Sequence, residues 1–246
     1  MSLERQKLEA LTAQNLDFDS LHIYETLPST NQTLWQILKE GAKPGTVVIA
    51  TQQTAGRGQW GHQWYSTVGG LYLSYALAPN IPVAESFQLT LRIAWGIATA
   101  LRTYGIPVQL KWLNDLIIER RKLGGILTET KVQQGIITQA IAGVGINWTN
   151  PVPETGINLT SFLETITSLE MLAAITIQGI VKGMNEPMET LLLSYEQLLT
   201  TIGKSVTIGD RPGVIIGITN TCSLRVRLED TSEIHLKPGT ISLGYK

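Results

Sequence analysis

Residues 108–147 read VQLKWLNDLIIERRKLGGILTETKVQQGIITQAIAGVGIN. Runs of β-branched and apolar residues alternate here with short turns, a pattern that predicts strands over 108–111, 115–119, 125–132 and 135–147. Turns of this length leave no room for crossover helices, so the strands must pair with their neighbours largely antiparallel. The segment therefore predicts an α+β fold with a central mixed or antiparallel sheet.

Helix and strand patterns are mixed on both sides of this segment. Hydrophobic periodicity and capping residues predict helices over 29–40, 85–104 and 170–200, the last as one helix or two, and strands over 46–51 and 71–77. From residue 203 onward, short β segments punctuated by Gly, Asp and Pro are typical of a small barrel. We therefore expect an N-terminal segment 1–20, a main domain 21–202 and a barrel 203–246.

The composition excludes several classes of protein. The chain has 246 residues, of which 43% are hydrophobic and 16% charged, as in an ordinary globular protein. A single cysteine, Cys222, excludes an intramolecular disulfide and a cysteine zinc cluster. The N-terminus lacks the apolar region of a secretory signal, and no apolar run is long enough for a transmembrane helix. We therefore expect a cytoplasmic protein.

The charge is unevenly distributed along the chain. The net charge of −1 argues against a broad nucleic-acid or membrane surface. Residues 41–114 nevertheless contain five basic groups and one acid, Glu85. Such a stretch indicates a site for anionic ligands, and the alternative is chance in a buried, apolar region.

A glycine-rich loop follows the strand predicted over 46–51. Gly56 to Gly61 match the pattern G-x-G-x-x-G, but no helix follows and the next acid is Glu85, so a dinucleotide fold is excluded. A P-loop is excluded at Lys204, because position 198 is Leu instead of Gly. Three glycines, with Arg57 and two tryptophans, nevertheless offer backbone N–H groups and a cation to a phosphate or carboxylate. The alternative is a flexible surface loop.

Five segments occur in an order and spacing that resemble one family. They are 29–31 (STN), 54–58 (TAGRG), 111–116 (KWLNDL), 121–127 (RKLGGIL) and 143–147 (GVGIN). Together they resemble the biotin protein ligases, over a stretch from about residue 20 to the end of the chain. The resemblance implies a class II synthetase-like catalytic domain, in which helices flank the sheet, and a C-terminal SH3-like barrel.

The resemblance also implies a reaction and its partners. Biotin would react with ATP, supplied as its Mg²⁺ complex, to give biotinyl-5′-AMP and pyrophosphate. Biotin would then be transferred to a lysine of the biotin carboxyl carrier protein of a carboxylase such as acetyl-CoA carboxylase. A homodimer is compatible with this family. The alternatives are a lipoate or octanoate ligase and a biotin-sensing regulator, although about 20 residues before Leu21 are too few for a DNA-binding winged helix.

Site residues follow from the resemblance, position by position. Lys111 and Arg57 are expected to be catalytic, because both partners of the first step are anions. The residues expected to bind biotin are Ser29, Thr30, Asn31, Gln53, Gly56, Arg57, Gly58, Gln59, Lys111, Trp112, Gly124 and Gly125. Those expected to bind ATP are Arg57, Gly58, Gln59, Trp64, Lys111, Asn114 and Asn147. Ser29, Thr30 and Asn31 could instead simply cap a helix, Trp112 could belong to the core, and Asp115 could be structural.

Two positions depart from the family's pattern. Gln59 stands where the glycine loop usually has a second arginine, which puts the retention of the adenylate in doubt. Leu113 stands where the lysine motif usually has proline. Because an acyl adenylate hydrolyses readily, we also expect the loop 52–64 to act as a lid that folds over the ligands.

Overall fold

The computed structural model describes residues 3–12 and 19–241. The helices in these ranges are α1 (Arg5–Thr12), α2 (Thr30–Lys39), α3 (Ser86–Thr103), α4 (Leu169–Asn185) and α5 (Met188–Leu198). The strands of the main sheet are β1 (Leu21–Leu27), β2 (Val47–Gln53), β3 (Gly70–Leu77), β4 (Ile81–Pro82), β5 (Gln109–Lys111), β6 (Asp115–Ile118), β7 (Arg121–Gln133) and β8 (Ile136–Asn147). A second sheet contains β9 (Ser205–Ile208), β10 (Arg211–Ile218), β11 (Leu224–Leu228) and β12 (Glu233–Leu236).

The main sheet is mixed, and helices flank it. Its strand order is β1-β2-β3-β8-β7-β6-β5, and the short β4 pairs with the start of β8. Strands β1 and β2 are parallel, and the other neighbours in this order are antiparallel. The predicted α+β class with a central mixed sheet is therefore confirmed.

The two faces of the main sheet have different roles. On β8, Ala142, Val144 and Ile146 belong to the large apolar core that also contains α3 and α4. Because side chains alternate along a strand, Gly143 and Gly145 lie on the opposite face. Helix α2 covers part of that face by packing Leu34 in a small apolar cluster. The part of the face that carries the glycines is left for a cavity.

One predicted boundary differs from the structure by several residues, and the region predicted as one helix or two contains two. Strand β7 begins at Arg121 instead of residue 125, because Gly124 and Gly125 pair with β6 and are strand positions instead of turn positions. The helical region 170–200 is divided before Pro187, since Glu186 is extended (ψ 135°), as the residue before a proline prefers. Helix α1 was not predicted; it is short, and Leu8 is its one buried apolar residue.

The C-terminal strands lie in the region from residue 203 onward where short β segments are predicted. They form an antiparallel sheet in the order β12-β11-β10-β9, and within the described residues it does not close into a barrel. The sheet shares the large apolar core with the main body through residues such as Ile215, Leu224 and Val226, and hydrogen bonds also join the two parts. The Trp112 indole donates to the Cys222 carbonyl (3.0 Å), and the Ile218 amide donates to the Glu196 carboxylate (2.7 Å).

Helices α3 and α4 cross in direct backbone contact at glycines. A methyl group on Gly96 would overlap the carbonyl group of Gly179, and there is no flexible side chain that could move away. We expect Gly96→Ala to lower the free energy of unfolding by about 1–3 kcal/mol. The melting temperature would fall by about 2–4 °C for each kcal/mol lost. An unchanged or raised melting temperature would contradict this crossing.

None of the described helices combines the length and apolar character needed to span a membrane.

Candidate active site

A cavity of about 610 Å³ lies on the glycine-bearing face of the main sheet. Its floor contains Gly125, Gly143 and Gly145 from β7 and β8. Asn31 packs against Gly143 and Trp64 packs against Gly145, so of these three glycines Gly125 is the one that leaves room for a ligand. Its walls are the start of α2, the glycine loop, the β5–β6 turn and residues 238–241, which follow β12. Sequence segments more than 200 positions apart thus meet at one cavity.

The structure brings most of the expected site residues together. Twelve of them line the cavity: Ser29, Thr30, Asn31, Gln53, Arg57, Gly58, Gln59, Trp64, Lys111, Trp112, Asn114 and Gly125. Gly56, Gly124 and Asn147 do not belong to the lining. A Cβ on Gly124 would lie 2.6 Å from the Gly145 carbonyl oxygen, so this glycine allows close strand packing. The Asn147 amide group donates to the Lys122 and Ile157 carbonyls, which gives it a structural role.

One end of the cavity is polar. The Thr30 amide donates to the Gln53 side-chain oxygen (2.8 Å), and the Gln53 side-chain nitrogen donates to the Ser66 hydroxyl (2.8 Å). The fully buried Ser74 hydroxyl lies 2.8 Å from Thr30 Oγ1 and 2.6 Å from Asn31 Oδ1. Ser74 has a single proton and cannot donate to both oxygens. This end therefore holds several oriented donors and acceptors in a small volume.

Ser29 occupies the N-cap position of α2, but its side chain makes no capping hydrogen bond. The side chains of Thr30 and Asn31 are engaged with Gln53, Ser74 and the Leu127 carbonyl. Their positions are thus explained by the cavity wall better than by capping alone.

The other end of the cavity is cationic. Lys111 ends β5 and is 8% exposed, and it pairs in register with Asp115 across a turn that contains the cis Trp112–Leu113 bond. Burial lowers the pKa of Lys111 to about 8, although the Asp115 carboxylate opposes this shift. Lys122 forms an ion pair with Asp115 at 2.6 Å. Two ammonium groups and one carboxylate therefore meet here, beside a wall formed by Trp112.

Lys122 and Asp115 are cavity residues to which the sequence assigned no ligand. Simple alternation along β7 would place Lys122 and Gly125 on opposite faces. A bulge at Leu123 inserts one residue, so that Ile117 pairs with Lys122 while Asp115 pairs with Gly125. The bulge brings Lys122 to the cavity face. The available signal was that Lys122 belongs to the motif RKLGGIL. The bulge itself has no clear signature in the sequence.

The glycine loop forms a tight hairpin against the sheet. The Gly58 amide donates to the His62 carbonyl (2.7 Å), and the Trp64 amide donates to the Gly56 carbonyl (3.0 Å). A side chain on Gly56 would overlap Trp64 and Ser66, which explains this glycine by packing. The Trp64 indole covers Gly145, and its buried Nε1 has no hydrogen-bond partner among the described residues. The role of the loop as a lid stays a prediction.

The cavity offers no cage for a metal ion. Within residues 3–12 and 19–241, no group of three His, Cys, Asp or Glu side chains is arranged to hold one. The Asp115 carboxylate at the cavity is paired with Lys122.

Known proteins resemble this chain in both sequence and fold. The sequence profile of the biotin/lipoate A/B protein ligase family matches residues 23–147. This chain belongs to that family. Among curated relatives, the bifunctional ligase/repressor BirA of Bacillus subtilis is 37% identical over 126 residues, which cover 50% of this chain. The biotin–[acetyl-CoA-carboxylase] ligase of Mycobacterium tuberculosis is 31% identical over 168 residues, which cover 65% of this chain.

A solved structure extends the likeness beyond the matched segment. The biotin protein ligase of Aquifex aeolicus in complex with biotin and ATP has a TM-score of 0.70 and 26% identity. The alignment covers 93% of this chain and 100% of that one. The match to the Bacillus protein covers 39% of that protein's length, and the match to the mycobacterial ligase covers 61%.

Proposed function

We propose that this family member is a biotin–[biotin carboxyl carrier protein] ligase. In the first step the biotin carboxylate attacks the α-phosphorus of ATP, giving biotinyl-5′-AMP and pyrophosphate. In the second step a lysine of the carrier protein attacks the mixed anhydride and releases AMP. The observation that carries this proposal is Lys111, a buried cation that lines the same cavity as the polar residues of α2 and the glycine loop.

The polar end of the cavity suits the ureido ring of biotin. Such a ring presents two N–H donors and one carbonyl acceptor, and Thr30, Asn31 and Gln53 offer matching oxygens and nitrogens. The tail would run over the glycine floor beside Trp112. Its carboxylate would then reach Lys111, where an ammonium group can bridge carboxylate and phosphate oxygens.

The glycine loop is the proposed site for the phosphates. Arg57 supplies a cation at the rim, while Gly58 and Gln59 line the same wall. Trp64 lies on the sheet floor, and Asn114 is held by a hydrogen bond from its amide to the Ile126 carbonyl (3.1 Å). Mg²⁺ would arrive with ATP, bound chiefly through the phosphates. The proposed role of Asn147 would be indirect, through the β7–β8 packing.

The polar end favours biotin over lipoate or octanoate. The apolar end of those acids would form no hydrogen bonds with the Thr30, Asn31 and Gln53 groups that line this end, whereas the ureido ring of biotin can, and this difference disfavours their binding. The test is to incubate the protein with MgATP, a biotin carrier domain and each acid in turn, followed by mass spectrometry of the carrier. We expect the carrier to be modified when the acid is biotin and not when it is lipoate or octanoate. Equal modification with lipoate, or none with biotin, would contradict the proposal.

The charge state of Lys111 gives the reaction a pH dependence. Its pKa is lowered to about 8, so the ammonium group is present below that pH and lost as the pH rises through it. We expect kcat/KM for adenylate formation to fall above about pH 8, since this ratio reports groups of the free enzyme. Lys111→Arg keeps its charge at high pH, and its lower activity should lack this falling limb. A limb that persists in the arginine variant would assign the titration to another group.

We further propose that the chain has a main domain up to about residue 202 and an SH3-like barrel after it, and that it works in the cytoplasm on the carrier protein of acetyl-CoA carboxylase. The four-stranded antiparallel sheet of β9–β12 supports the barrel. Residues 238–241, which follow this sheet, line the cavity. The C-terminal part would therefore help to enclose the ligands.

A further inference from the structure

Arg57 is held at the cavity rim by a carboxylate that lies outside the cavity lining. Its Nη2 donates to Glu129 Oε1 at 2.9 Å, and the two side chains are 52% and 24% exposed. Arg57 belongs to the cavity lining, whereas Glu129 does not. The bond to Glu129 uses one of the five guanidinium donors, which leaves donors on the same group to face the cavity.

Glu129 is itself fixed by a second element. The Trp35 indole of α2 donates to Glu129 Oε2 at 2.7 Å, while the carboxylate stands on β7. The ammonium group of Lys131 lies 4.7 Å from the centre of the same Trp35 ring. The two carboxylate oxygens therefore have different partners, one in α2 and one in the glycine loop. An ordinary exposed ion pair lacks this fixation and is free to change geometry.

We propose that Glu129 is a positioning residue for Arg57, anchored by Trp35. The carboxylate orients the guanidinium so that its remaining donors meet the phosphates of ATP, and the loop pays less conformational entropy when the nucleotide binds. This inference deepens the proposed function, because it takes ATP as the ligand of Arg57. Glu129 does not touch the substrate in this role, and its effect passes entirely through Arg57.

The test is a double-mutant cycle on equilibrium binding of MgATP, measured by calorimetry. We expect Glu129→Gln to weaken binding about tenfold, which corresponds to about 1.4 kcal/mol. Arg57→Ala should weaken it at least as much, and the double variant should bind no more weakly than Arg57→Ala alone. Trp35→Phe keeps the ring but removes the indole donor, so it should shift binding in the same direction by a smaller factor.

The controls separate positioning from a general loss of structure. Glu233→Gln removes a carboxylate from another arginine pair, with Arg225 on the C-terminal sheet, and should leave MgATP binding unchanged. The inference would be overturned if Glu129→Gln binds MgATP as tightly as the wild type, or if the effects of Glu129→Gln and Arg57→Ala simply add. A wild type that binds no MgATP would overturn it as well. A wild type that binds MgATP but forms no biotinyl-AMP would instead overturn the proposed function and leave the cycle interpretable.

Discussion

Replacement of Lys111 by alanine is expected to reduce the rate of biotinyl-AMP formation by about 10²–10³-fold, the cost of removing one preorganised group that stabilises developing charge. The reason is that the carboxylate and the triphosphate are both anions and must approach each other closely. Lys111 is a buried cation in the lining of the cavity proposed to hold both, and burial strengthens its interaction with them. Single-turnover formation of labelled biotinyl-AMP measures this step without the transfer to the carrier.

The matched control is Lys43→Ala, which removes an exposed lysine from the same acid-poor stretch. This variant should keep the rate of the wild type. Lys111→Ala should lower the melting temperature only slightly, since the Asp115 carboxylate keeps its ion pair with Lys122. Full activity of Lys111→Ala would remove this residue from the mechanism, whatever else the protein does.

Substitutions of two adjacent glycines on β7 are expected to have different effects, one on biotin affinity and the other on stability. A Cβ on Gly125 would lie 3.4 Å from Lys122 Cε and 3.6 Å from Asp115 Oδ1, so a side chain fits and projects into the cavity. We expect Gly125→Val to fold normally and to bind biotin about 10- to 100-fold more weakly, equivalent to about 1–3 kcal/mol of steric cost. Calorimetric titration with biotin, together with thermal unfolding, measures both quantities.

Gly124→Val is the companion variant. Its side chain would meet the Gly145 carbonyl and Ile146 on the core side, so we expect the free energy of unfolding to fall by about 1–3 kcal/mol. A Gly124→Val variant that is stable but binds biotin weakly would contradict the cavity described above. An unstable Gly125→Val variant would contradict it as well, because either result would place the two glycines on the opposite faces of β7.

Most of the main sheet could be predicted from the sequence, because the alternation of apolar residues over 108–147 is strong and its turns are short. The motifs also located the cavity: Lys111 ends β5, the residues 29–31 begin α2, and Arg57 lies in the loop that follows β2. The sequence pattern did not predict β1 or β4, and one feature of β7 was hidden. The bulge at Leu123 shifts Lys122 onto the cavity face, and alternation cannot reveal an inserted residue.

Long-range partners were also beyond sequence reasoning. Glu129 looks like an ordinary exposed residue of a strand, and only the fold places it against Arg57 and Trp35. Gly124 and Gly125 are equivalent by composition, but they lie on opposite faces of β7 and serve packing and cavity space respectively. The contribution of residues 238–241 to the cavity depends on how the C-terminal sheet packs on the main body.

The most direct test of the central claim is the exchange of labelled pyrophosphate into ATP by the wild-type protein, with and without biotin. Reversible adenylation predicts exchange that requires biotin, is not supported by lipoate or octanoate, and is lost in Lys111→Ala. Absence of exchange with biotin, or exchange that proceeds equally without it, would contradict the assignment of this cavity to biotin activation.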